Sequence, residues 1–333
     1  MKIIKETFKN ANWYSLVNDN NYSITISNIG ATVVSIKTPD KNGKFENIIL
    51  GFDTPEEYAA HHDYFGATVA RVAGRIADGK WRNYQLNQNE GSNTLHGGNH
   101  PSLSYVPWRK ISSFVKDDEC GLILKRLSID GENGFPGDLN INAIFRLNNK
   151  NEFSITYIGH TSKQTLFNPT THMYFNLSGS AKHSILNQEL QITSDNFVDT
   201  DSKMLPTGNL INVDNTPFNF QNPTKLSKAL PLMESGLDTA YKVVPSTEIP
   251  QLTLFDEKSG RRVQIQTSAN SLVLFSTNKP EKPFKIHGNQ DFQENIGLAI
   301  EPQMMPDAIH HSGFGNIVLS PSKPMMYQNV YYL

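Results

Sequence analysis

A single cysteine, Cys120, stands in 333 residues, so no disulfide can close within the chain. Alone, such a residue reads as a small buried hydrophobe rather than a reactive thiol. No apolar run approaches the roughly 18 residues that a membrane helix needs. The opening residues, MKIIKETFKNANWY, lack the apolar stretch of a signal peptide. Charge is also scarce. Charged residues are 19 % of the chain, and 30 basic against 32 acidic side chains leave a net charge of −2. No basic segment is dense enough to hold nucleic acid or an anionic membrane surface. A glycine-rich phosphate loop is missing, and so is the HExxH spacing. The two adjacent histidine pairs, His61-His62 and His310-His311, would point to opposite faces of a strand and chelate poorly. These absences predict no metal, no nucleotide, no nucleic-acid or membrane partner, and a reducing, cytoplasmic setting.

What is present favours strands. Tyrosine, phenylalanine, asparagine and threonine are plentiful, and aromatics reach 10 %. Short alternating segments recur at 22–27, 121–127, 139–147, 153–158, 252–255, 263–267 and 271–275. Between them, 40–43, 131–137 and 258–260 carry turn chemistry. Helix signals are few. Thr54-Pro55-Glu56-Glu57 offers a cap, a first-turn proline and a capping box, which predicts about two helical turns. A second short helix is expected over 223–230. No linker, low-complexity tract or fixed repeat appears. The expected architecture is all-β: one large antiparallel sandwich spanning 1–333, with few short helices.

Five places could carry chemistry. Segment 171–177 reads as a strand with Met173, Phe175 and Leu177 on one face and His172, Tyr174 and Asn176 on the other. The apolar face must meet the core. The polar face needs a cleft or buried partners, and a hydrogen-bonded structural histidine is the alternative to a catalytic one. In 297–303, Glu301 ends an apolar strand, on the face shared with Ala299 and Gln303. Burial there would raise its pKa toward the range of a useful base, against the alternative of a surface carboxylate. Arg71 and Arg75 sit among small residues, where an arginine can orient a hydroxyl-rich ligand or simply make an ion pair. His96 precedes a glycine pair. Asp238 lies in a segment that reads as a turn.

Six blocks taken together resemble the galactose mutarotase, or aldose 1-epimerase, family. They are 65–80 (FGATVARVAGRIADGK), 93–98 (NTLHGG), 133–137 (NGFPG), 172–179 (HMYFNLSG), 205–208 (LPTG) and 301–308 (EPQMMPDA). They cover nearly the whole chain in family order. The resemblance implies a β-supersandwich with a long open cleft. It implies Glu301 as catalytic base and His172 as general acid, with Arg75, His96 and Asp238 holding sugar hydroxyls and Arg71 structural. No cofactor is implied. The partner is a free aldohexose, or a reducing disaccharide. The chain departs from the family pattern at Thr171, Pro302, Val273, Met304-Met305 and 100–106, which touches sugar choice rather than the acid and base.

The implied reaction explains the residue types. The ring opens when the anomeric hydroxyl loses a proton and the ring oxygen gains one; the aldehyde rotates and closes on its other face. One base and one acid suffice, and their roles reverse during closure, so both pKa values are expected near neutrality. Two rivals stand beside it. A glycoside hydrolase would use Asp238 and Glu301 as its carboxylate pair. A carbohydrate-binding module would stack sugars on Trp13, Trp81 or Trp108.

Overall fold

The computed structural model describes residues 1–99 and 102–333. Three antiparallel sheets organise it. A five-stranded sheet is built from Lys2–Thr7, Asn12–Val17, Ser23–Ser27, Val33–Pro39 and Phe45–Asn47 in chain order. A nine-stranded sheet runs Arg109–Val115, Glu119–Ser128, Leu139–Asn148, Glu152–Thr161, Met325–Tyr332, Arg262–Thr267, Leu252–Phe255, Glu189–Ile192 and Thr224–Lys225. The chain's last strand is therefore central, paired with Glu152–Thr161 on one side and Arg262–Thr267 on the other. A six-stranded sheet runs Met173–Phe175, Leu298–Gln303, Ser271–Ser276, Asp238–Lys242, Asn196–Thr200 and Pro206–Asn212.

Alternation explains why these segments are strands. Leu139, Ile141, Ala143, Phe145 and Leu147 are buried, while the residues between them are more exposed. They meet Leu298, Ile300, Leu272 and Leu274 from the six-stranded sheet in one apolar core. The opposite face of the six-stranded sheet is left for the site. The seven alternating segments all form strands: five match to within one residue, while Glu119–Ser128 and Glu152–Thr161 run three to four residues longer, and the expected strand 171–177 is broken at His172. Cys120 is fully buried in the core.

The helix Pro55–Ala60 carries the expected capping box between Thr54 and Glu57. The second helix is shorter than 223–230: Leu226–Ala229 is helical and Leu230–Leu232 continues as a 3-10 turn. Thr224–Lys225 instead pairs with Glu189–Leu190, because an open sheet edge there captures the backbone. No helix among the described residues is long and apolar enough to cross a membrane.

Candidate active site

Leu298–Gln303 is buried along its whole length. Leu298 and Ile300 enter the main core, and Glu301 and Gln303 line a cavity on the other face. Pro302 sits in this central strand at little cost. Its carbonyl accepts from Thr170 Oγ1 at 2.9 Å, so its nitrogen also faces away from the Ser271–Ser276 ladder. His172 lies between the short strands Thr170–Thr171 and Met173–Phe175. Met173 is opposite Ile300, which brings His172 beside Glu301. Their Nε2 and Oε1 atoms are 3.2 Å apart. The other carboxylate oxygen, Oε2, has no hydrogen-bond partner among the described residues.

The imidazole of His172 is sandwiched. Tyr174 stacks on it at 4.9 Å between ring centres and Tyr64 at 5.9 Å. Burial in this aromatic slot pushes the His172 pKa down to about 4. The same burial, reinforced by the nearby Asp238 charge and opposed by Arg75, pushes Glu301 up to about 8. Glu301 moves as the sequence led one to expect; His172 leaves neutrality instead of staying near it. Desolvation penalises whichever form is charged, so it drives acid and base in opposite directions.

Three further side chains close the rim. Arg75 pairs with Leu95 at the start of the loop that carries His96. Its guanidinium makes a bidentate bond to Glu90, both contacts at 2.8 Å. Arg75 is thus an ion-paired arginine and a cavity residue at once. His96 Nδ1 accepts the Gly74 amide hydrogen at 3.3 Å, and burial drives its pKa well below the usual histidine range. The neutral ring then carries its proton on Nε2. Gly97 must be glycine here: it has φ +77°, and a Cβ would lie 2.3 Å from the Ala70 carbonyl oxygen. Asp238 opens the strand Asp238–Lys242 opposite Phe275, rather than lying inside a turn. The turn belongs to Gly236, two residues earlier, at φ +71°. Burial raises the Asp238 pKa, with Arg75 opposing.

All five predicted site residues therefore line one cavity of about 260 Å³. Asn176, expected on the polar face with His172 and Tyr174, is instead structural. Its amide donates to the carbonyls of His183 and Ile296, both at 2.7 Å. Arg71 is structural as expected: it is buried and bonded to Ser128, Ile129, Pro136 and Thr165. Among the altered positions, Val273 lines the cavity. Met304 and Met305 pack into apolar clusters instead of forming its wall. Of 100–106, the first two residues lie outside the described ones and the rest do not line the cavity. Trp13, Trp81 and Trp108 are buried and absent from the cavity lining, so none is a stacking platform there. Sequence reading missed Tyr64, Glu90 and Met204, which come from irregular segments with no periodicity to mark them.

One ligand atom each from His96, His172 and Glu301 lie within 4.8 Å of one another. Local spacing could not reveal this donor set, because its members are far apart in sequence. The three could hold a divalent ion; equally, a neutral imidazole, a carboxyl of raised pKa and an N–H donor form a proton-transfer array around a small polar cavity.

Comparison with known proteins places the chain in a family. A family profile described as aldose 1-epimerase matches residues 13–331. The chain is 34 % identical over 328 residues to the aldose 1-epimerase of Streptococcus thermophilus, covering 94 % of this chain and 92 % of that one. It is 30 % identical over 308 residues to the galactose mutarotase of Bos taurus, covering 90 % and 87 %. The solved GalM/aldose epimerase homologue from C. elegans superposes with a TM-score of 0.88 at 28 % identity, covering 96 % of this chain and 98 % of that one.

Proposed function

Because the chain belongs to the aldose 1-epimerase family, and so is an isomerase acting at the anomeric carbon, we propose that Glu301 and His172 open and reclose the ring of a free aldohexose. The 3.2 Å contact between His172 Nε2 and Glu301 Oε1 inside the cavity carries this reading. Glu301, through the unpartnered Oε2, takes the proton of the anomeric hydroxyl. The C1–O5 bond breaks, its electron pair goes to O5, and O5 takes a proton from His172. After rotation about C1–C2, Glu301 returns its proton to the carbonyl oxygen while His172 takes the one on O5.

The pair holds one proton in total throughout. Ring opening converts carboxylate plus imidazolium into carboxylic acid plus imidazole, and closure converts them back. Burial opposes charge on either group, so the proton rests on Glu301, and the reactive carboxylate–imidazolium pair is the minor form, reached when that proton crosses the 3.2 Å contact to His172. His96 Nε2–H, Arg75 and Asp238 hold hydroxyls. No cofactor takes part in this scheme. The whole chain, 1–333, acts as one unit, and the unpaired Cys120 suits a cytoplasmic location.

Polarimetry of freshly dissolved α-galactose and α-glucose tests the scheme. Glu301→Gln keeps shape and removes the base, so mutarotation should fall about 10²–10⁴-fold with the circular-dichroism spectrum unchanged. Near-normal rotation rates in this variant would remove Glu301 from the mechanism.

A further inference from the structure

The cavity floor is uneven in polarity. Across the six-stranded sheet Glu301 stands opposite Val273, and Val273 opposite Ala240, so the row leading away from the base offers no hydrogen bond. On one side of that row lies Asp238, opposite Phe275. On the other side lies Gln303, opposite Ser271 and about 6.6 Å further along the strand from Glu301. Gln303 is only 1 % exposed and lines the cavity. Neither its Oε1 nor its Nε2 has a partner among the described residues. Its backbone, by contrast, is fixed: Ser271 Oγ donates to its carbonyl at 2.8 Å.

A buried primary amide with both ends unpaired is costly, and an apolar side chain of similar size would fill the position more stably. Such a group is explained when a ligand completes it. A sugar hydroxyl does so from one atom, giving its hydrogen to Oε1 or accepting one from Nε2. We propose that Gln303 is a specificity-determining residue that holds one hydroxyl of the sugar, on the side of the Glu301 row opposite Asp238. This rests on reading the cavity as an aldose site, though not on the roles given to Glu301 and His172.

The test pairs Gln303→Leu with the four monodeoxy galactoses lacking the hydroxyl at carbon 2, 3, 4 or 6. On galactose the variant should lose about 10- to 100-fold in kcat/KM, mainly through KM. On one deoxy sugar, the one lacking the hydroxyl that Gln303 holds, wild type and variant should agree within about twofold. Calorimetric Kd values should show the same pattern, which tests Gln303 even if Glu301 and His172 prove not to be the base and acid. Because the amide makes no hydrogen bond among the described residues, Tm should stay the same or rise. An equal loss on all four analogues, no loss on galactose, or a marked fall in Tm would each overturn the proposal. Gln303→Met, which keeps length and flexibility, carries the same comparison if the leucine variant does not fold.

Discussion

Glu301 and His172 answer to one cause. Burial holds the carboxyl up at about 8 and the imidazole down at about 4, so between those values the pair carries the single proton that the reaction passes back and forth. Below about pH 4 both groups are protonated and the base is lost. Above about pH 8 both are deprotonated and no proton is left to give. A bell-shaped profile of kcat/KM with limbs near 4 and 8 is therefore expected, the two values belonging to the coupled pair. A profile still rising through pH 9 would contradict it. The neighbours separate by role. His172→Asn should lower kcat by about 10²-fold or more with little change in KM, because proton donation matters most in the transition state. His96→Asn and Asp238→Asn should raise KM as well, since both line the cavity and are proposed to hold hydroxyls. If all three variants lost affinity alone, His172 would be a binding residue and not the acid.

Strands made much of this site legible. Alternation alone separates Met173, Phe175 and Leu177, all in the core, from His172 and Tyr174, both in the cavity. It likewise puts Glu301 and Gln303 on one face. Alternation says which way a side chain points, not what waits there, and so Asn176 looked like a site residue although two carbonyls from other segments claim it. Asp238 looked like a turn acid because the strand that it opens is defined by pairing with Phe275, a long-range contact. Arg71 shows how loops are tied to these strands. Its five donors reach the 128–136 loop and Thr165, and burial lowers its pKa only to about 10, so it stays charged at neutral pH. Arg71→Met should leave several buried acceptors unpaired and cost at least about 3 kcal/mol in urea unfolding. A loss below about 1 kcal/mol would show that water replaces the guanidinium readily.

The assembled molecule decides what the cavity admits. Tyr64 and Arg75 come from the first quarter of the chain, Asp238 from its third quarter and Glu301 from near its end, so only the closed sandwich creates a pocket of about 260 Å³. Beside it lies a wider hollow of about 740 Å³, which shares Tyr64, Tyr174 and Phe275 as a common wall. Lys279, Lys282, Asp63 and Asn278 line that hollow together with Phe284 and Phe292. If the proposed sugar ring lies under Glu301, this hollow would offer polar and aromatic surface to a second ring attached to it. Within the pocket, Val273 presents no polar atom to the ring, and a site without a directed bond at that position discriminates less between hydroxyl configurations. The two methionines once in question have no part in this, because they pack away from the cavity. The expected outcome is a broad enzyme, with kcat/KM for glucose, galactose and maltose lying within about 10-fold of one another, a span of about 1.4 kcal/mol in transition-state binding. Polarimetry on the three sugars at one enzyme concentration measures it. A preference for galactose over both others well beyond that span would show that groups elsewhere in the pocket, Asp238 and Gln303 foremost, read the ring without help from position 273.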